Sequence, residues 1–197
     1  LHPHRFMVVI YLPVYLLCFE LIEWHSFSSI HRIHTPFDDM IPFAEIFVIP
    51  YFLWFFYLFF GFYYLYKRRD PRPFYRLCGS CFMAMTIFLI VSVIYPNYHD
   101  LRPDYFVRDN IFTAMISVLY TIDPAMNLLP SIHVCATIAV HSSLCRSEDF
   151  LRIPHSRRVS FVLSVLIVLS TMFIKQHSSL DVTLAFLLMA AEYPIFF

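Results

Sequence analysis

The chain has 197 residues, of which 59% are hydrophobic and 19% aromatic, with two glycines and a formal net charge of zero. A soluble core of this size cannot hide so much apolar surface, so the composition excludes an ordinary water-soluble domain and places the chain in a bilayer. No nucleic-acid partner is expected. We read 1–197 as one membrane-embedded domain, and expect a chain trimmed at both ends, since it opens at Leu1 and stops at Phe197 inside an apolar run. No small-residue cleavage site follows the first apolar run, so a cleavable signal peptide is not expected. The five cysteines (Cys18, Cys78, Cys81, Cys135 and Cys145) lie in or beside apolar runs. An odd count so placed is no disulfide framework, and Cys78 and Cys81 lack the second pair a metal site would need.

In chain order, the first apolar run is Phe6 to Ile22, with Glu20 and Glu23 marking its far end. A polar loop follows, holding His25, His31, Arg32, His34, Asp38 and Asp39. The two histidines His31 and His34 have no helical context and no third ligand, and read as solvated loop residues. The second run, Pro42 to Tyr66, ends in Tyr63, Tyr64 and Tyr66 before Lys67-Arg68-Arg69. Such an aromatic belt followed by a basic cluster is how a helix leaves a membrane. Run three is Leu77 to Tyr95. The long polar segment from Pro96 to Pro130 contains one apolar piece, Ile111 to Ile122, bracketed by Asp109-Asn110 and Asp123-Pro124. A dozen residues cannot span, so this piece reads as a helix on the membrane surface. Run four extends from Pro130-Ser131 to Leu144, run five from Val159 to Ile174, and run six from Leu180 to the end. The expected fold is all-α: a six-transmembrane-helix bundle with one short interfacial helix.

Six crossings with the N-terminus inside put Arg5 and two basic loops, ten of the fourteen basic residues, in the cytoplasm. Arg32, Arg102, Arg108 and Lys175 remain outside, which satisfies the positive-inside rule. The same count brings Arg102, Ser131, His133, Lys175, His177 and Asp181 to the extracytoplasmic face of a cell membrane. Had Ile111 to Ile122 spanned, Arg102 and His133 would lie on opposite sides.

Among these residues His177 and Asp181 stand four apart at the start of run six. On a helix they stack one turn above each other, within hydrogen-bond reach. A carboxylate on one imidazole nitrogen fixes the tautomer and frees the other nitrogen to attack or to take a proton. Phosphoryl transfer needs such a nucleophile, a proton for the leaving alkoxide, and positive charge around the equatorial oxygens. His177 can attack phosphorus and carry a transient phosphohistidine, while His133 protonates the leaving oxygen and then activates water. Ser131 follows a proline where a helix begins, so it can cap that helix and its free N–H groups can hold phosphate; capping alone is the competing reading. Arg102 either binds the phosphate or simply meets lipid headgroups. His141, deeper on run four, reads as a packed core residue.

Three motifs in order carry a resemblance: Arg102-Pro103, Pro130-Ser131-Ile132-His133, and Ser170 through His177-x-x-x-Asp181. Together they resemble the signatures of the type 2 phosphatidic acid phosphatase superfamily of six-helix integral membrane lipid phosphatases. The resemblance covers essentially the whole chain and implies His177 as nucleophile, Asp181 as its orienting partner, His133 as general acid and Arg102 as a phosphate ligand. Three positions depart from the pattern. Tyr95 stands where the family has Lys, Ile132 where it has Gly, and Thr171 where it has Arg. Lys175 is the candidate replacement cation. On a continuing helix it projects from the face of Thr171 one turn, about 6 Å, further out. In an extended chain it shares a side with His177.

The expected function is therefore metal-independent hydrolysis of a phosphate monoester or pyrophosphate on a lipid, with no metal and no cofactor. A lipid substrate is favoured because the outer loops are otherwise rich in Asp and Glu and would repel a soluble anion. One alternative is a lipid phosphotransferase using an alcohol acceptor, like the inositol-lipid or sphingolipid synthases. Another is a non-catalytic transporter or scaffold whose charges line a pathway.

Overall fold

The computed structural model describes residues 7–25, 27 and 29–197. Arg5 and Phe6, used above for the inner charge count and the start of the first run, lie outside the described residues. Among the described residues, apart from one two-residue strand pair, the regular structure is helical: α1 (Met7–Trp24), α2 (Pro36–Met40), α3 (Val48–Tyr66), α4 (Arg72–Ile94), α5 (Ile111–Ile122), α6 (Ile132–Leu144), α7 (Glu148–Leu151), α8 (Ser156–Phe173) and α9 (Ser179–Phe196). A 3₁₀ turn, Glu45–Phe47, leads into α3. The all-α expectation holds.

Four helical segments among the described residues are long and apolar enough to cross a membrane: Glu45–Tyr66, Arg72–Ile94, Ser156–Phe173 and Ser179–Phe196. They mark the chain as a membrane protein. The six crossings expected from the sequence are met only to that extent. At 13 residues α6 is about 20 Å long, against a hydrocarbon core of about 30 Å. Helix α1, apolar with Pro13 inside it, is not among the four either.

Short as it is, α6 is the hub, with α3, α4, α8 and α9 packed around it. Its small residues Cys135, Ala136, Ala139 and Ser143 are buried and let the neighbouring backbones come close. Gly61 on α3 faces it: a Cβ there would lie 2.7 Å from Val140 Cγ1. On α3 the buried residues Tyr51, Trp54, Tyr57, Gly61 and Tyr64 recur every three or four positions. Phe55, Phe56, Phe59 and Phe60 face outward, as lipid-facing side chains would. Helix α1 lies along α4, where the Tyr11 and Phe82 rings stack at 4.0 Å and the Tyr11 hydroxyl reaches the Phe82 carbonyl at 2.9 Å.

At one end of the bundle, loops cover the junction of α8 and α9. Strand β1 (His31–Arg32) pairs in parallel with β2 (Asn97–Tyr98), opposing His31 to Asn97. Helix α5, expected from its length and its flanking residues, has Asn110 as its N-cap, accepting from the N–H groups of Phe112 and Thr113. Its buried residues Ile116 and Leu119 pack with Val48, Tyr51 and Ile174, while Ile111 and Ile122 are 70% and 75% exposed. Helix α2 was not legible as a helix in the polar loop.

Candidate functional site

The site forms where α8 ends and α9 begins. Helix α8 stops at Phe173, and the N–H groups of Lys175 and Gln176 turn back to the carbonyls of Met172 and Thr171 at 3.0 and 2.9 Å. This is the paired-bond helix stop whose left-handed position normally takes glycine. Here that position is Lys175, with φ of 54°. Neither arrangement foreseen for Lys175 occurs, because the chain neither continues helically nor becomes extended there. Its ammonium donates to the carbonyls of Asp38 and Ile41 at 2.9 and 2.6 Å. Burial draws the Lys175 ammonium below its ordinary value, with Asp38 and Asp39 opposing that shift. As a phosphate ligand, then, Lys175 is already coordinated by two carbonyls. Thr171, where the resemblance would place an arginine, is fully buried with its hydroxyl on the Val168 carbonyl at 2.8 Å.

Helix α9 starts with a reciprocal cap. Ser178 Oγ accepts from the Leu180 N–H at 3.1 Å, and Asp181 Oδ2 accepts from the Ser178 N–H at 2.9 Å. Asp38 completes it from α2: its carboxylate accepts from the Ser179 N–H at 2.6 Å and the Ser178 hydroxyl at 2.7 Å. Burial acts to raise the Asp38 carboxyl, but the hydrogen bonds from Ser179, Ser178 and Thr35 outweigh it and leave it below the usual range. The sequence offered Asp38 only as a loop acid; nothing local announces that it caps a helix 140 residues later.

Held by this cap, His177 directs Nδ1 to Asp181 Oδ2 at 3.0 Å. Its other nitrogen, Nε2, faces His133 Nδ1 at 3.2 Å. The structure thus brings His177, Asp181 and His133 together. Ser131, wholly buried, caps α6, its Oγ accepting from the Val134 N–H at 3.4 Å, and its own N–H donates to the Asp181 carbonyl at 3.3 Å. The starts of α6 and α9 are therefore tied to each other, which fixes the two imidazoles face to edge.

Beyond His133 lies a network that the motifs did not reveal. His133 Nε2 meets the Tyr51 hydroxyl at 3.0 Å, and Tyr51 donates to Asp123 Oδ2 at 3.2 Å. Gln176 Nε2 donates to the same Asp123 oxygen at 2.9 Å. Arg102 closes the chain: its Nη2 donates to Gln176 Oε1 and to the Asp123 carbonyl, both at 2.5 Å, and its Nη1 donates to the Tyr120 carbonyl at 3.1 Å. The guanidinium also lies over the Tyr120 ring at 4.2 Å. Burial lowers the Arg102 guanidinium from its ordinary value, partly offset by Tyr120 and Asp123. Its buried Nε has no partner among the described residues. His99, also missed, is buried and bonds the Gln176 carbonyl through Nε2 at 3.0 Å. The signal that could have pointed here is adjacency, since Gln176 directly precedes His177.

The remaining candidates lie apart. His34 pairs with Asp39 at 2.9 Å and His31 stacks on Tyr95 at 4.0 Å, so both loop histidines have partners. Tyr95, at the position of the family's lysine, is held in that stack. His141 bonds Ser160 Oγ at 2.8 Å, a second polar cluster inside the bundle. Among the described residues no three His, Cys, Asp or Glu side chains gather as a metal site would require.

No family model matches the chain, and searches of the curated proteins and of the solved structures return no match.

Proposed function

We propose that this chain is a metal-independent phosphohydrolase acting on a lipid phosphate or pyrophosphate, of the type 2 phosphatidic acid phosphatase kind. One observation carries the reading: His177, anchored to Asp181 through Nδ1, presents Nε2 to a second imidazole nitrogen 3.2 Å away, His133 Nδ1. At 3.2 Å the two nitrogens touch, so a phosphoryl group must part the rings, and it then meets a nucleophile on one side and an acid on the other. The lone pair of His177 Nε2 forms a bond to phosphorus, and the bond from phosphorus to the leaving oxygen breaks. His133 Nδ1 gives that oxygen its proton. The same nitrogen then takes a proton from water, whose oxygen displaces His177 and releases phosphate. Positive charge for the equatorial oxygens comes from the start of α6, since Arg102, like Lys175, already donates to protein acceptors. Lys175 holds the turn.

The reading includes six crossings, with α1 and α6 joining the four long helices and the site at the extracytoplasmic side. Because α6 is short, the site is recessed into the bilayer. Tyr105 and Val107, on the loop before α5, are 77% and 90% exposed, apolar surface that favours a substrate arriving from the membrane.

The test is phosphate release from a panel of lipid phosphates by purified protein, with and without an added alcohol. Release that is abolished in His177→Ala supports the proposal. Release that survives in that variant refutes the mechanism, transfer to the alcohol identifies a phosphotransferase, and no turnover on any lipid supports a non-catalytic role.

A further inference from the structure

The peptide unit between Gln176 and His177 is held at both of its polar ends. Its N–H, that of His177, donates to the Thr171 carbonyl at 3.0 Å. Its carbonyl, that of Gln176, meets His99 Nε2 at 3.0 Å. A peptide unit is planar, so fixing both ends fixes the direction in which His177 leaves it. His99 therefore acts on the aim of His177 through the backbone.

The proton on His99 is assigned by partners whose polarity cannot change. A backbone carbonyl only accepts, so Nε2 carries a hydrogen toward Gln176. A backbone N–H only donates, and Leu101 gives its own to Nδ1 at 3.3 Å, which is then a bare lone pair. Neutral His99 in the Nε2–H form satisfies both contacts. The imidazolium would set a second N–H against that of Leu101, and at 3% exposure burial also opposes the charge.

The same loop grips Gln176 a second time. Arg102, three residues after His99, donates from Nη2 to Gln176 Oε1. With the Gln176 N–H on Thr171 and its Nε2 on Asp123, every polar group of this buried residue has a partner. The loop is itself tied down, since the His99 N–H donates to the Ala125 carbonyl at 3.3 Å.

We propose that His99 is a positioning residue for His177: together with Arg102 it clamps Gln176, and its Nε2–H sets the peptide unit from which the nucleophile projects. The role of nucleophile rests on the phosphohydrolase reading; the clamp and its tautomer do not.

Two variants separate the contacts, because a glutamine amide nitrogen reaches the place of Nε2 and an asparagine amide oxygen the place of Nδ1. His99→Gln keeps the donor to Gln176, whereas His99→Asn keeps only the acceptor for Leu101. Imidazole nitrogen NMR on the purified full chain in detergent micelles, without substrate and at mildly alkaline pH, reads the clamp. Signals are assigned by their loss in His99→Gln and in His177→Gln. Wild-type His99 should appear as the Nε2–H tautomer. The His177 resonances should stay in place in His99→Gln and move or broaden in His99→Asn. A wild type in the Nδ1–H form, or His177 resonances that respond alike in both variants, overturns the proposal. On a lipid phosphate that is turned over, His99→Asn should lower kcat about ten-fold with KM nearly unchanged, and His99→Gln much less. Equal kcat in the two variants likewise overturns it. Absence of turnover on any lipid counts against the phosphohydrolase reading alone, and the NMR result then decides the clamp by itself.

Discussion

Replacing Lys175 by methionine keeps the length of the side chain and removes its three donors. Two of those donors hold buried carbonyls, at 2.9 Å on Asp38 and 2.6 Å on Ile41. A hydrogen bond from a charged group contributes about 1.5–3 kcal/mol net. Two such bonds, reduced because the 38–41 turn can relax toward water, give an expected loss of about 2–4 kcal/mol. For a chain of this length that lowers the unfolding midpoint by roughly 4–16 °C. Lys175→Gly loses the same bonds but relieves a left-handed backbone that costs about 1 kcal/mol or more in a residue with a Cβ. Glycine should therefore be the milder of the two. Thermal unfolding in micelles measures both, with amide hydrogen exchange at residues 35–41 reporting whether the loss is local. Unchanged midpoints and exchange, together with a fall in turnover, would refute this account and put the ammonium on the substrate.

Gly61→Ala forces a methyl against Val140, 2.7 Å from its Cγ1, and should destabilise the bundle by about 1–3 kcal/mol. Val140→Ala in the same chain should recover part of that loss, and strict additivity in a double-mutant cycle would deny the contact. Burial lowers the His99 imidazole from its ordinary 6.5, with the Gln176 carbonyl partly opposing. As pH falls below that value the unfolded chain takes up a proton that folded His99 refuses, so stability should decline with acidification. His99→Gln should flatten that decline, and an identical slope in the variant would assign it to other groups. For topology, single cysteines at the exposed positions Arg69 and Arg157, with the native cysteines removed, should be shielded from an impermeant thiol reagent in intact cells. One at Asp104 should react; the opposite pattern would invert the proposed orientation.

Long-period features were the legible ones. Helix α5 lies at Ile111–Ile122 as read, because Asn110 and Asp123 punctuate an apolar run of fixed length. The approach of His177 to Asp181 was legible from their four-residue spacing, although His177 stands before the cap Ser178 and outside α9, so the contact comes from the cap and not from helical stacking. The fate of Lys175 was not. Periodicity extrapolates a helix or a strand, whereas the chain here makes a left-handed stop at a residue that gives no glycine signal. Asp38 and Asp123 were equally opaque. Each is one acid among several in polar loops, and only the folding of α2 and the α5–α6 connection onto the α8–α9 turn gives it partners. Tyr51 was hidden differently: in a helix crowded with aromatics, only tertiary packing distinguishes the one whose hydroxyl meets an imidazole.

The most direct test of the central claim is to trap the covalent intermediate. Enzyme turning over a phosphorus-labelled lipid phosphate is quenched rapidly at alkaline pH, digested, and sequenced by mass spectrometry. A phosphoryl group on His177, absent in His177→Ala and persisting longer in His133→Gln, is the predicted result. Turnover with no labelled histidine, or with the label on another side chain, would contradict the account.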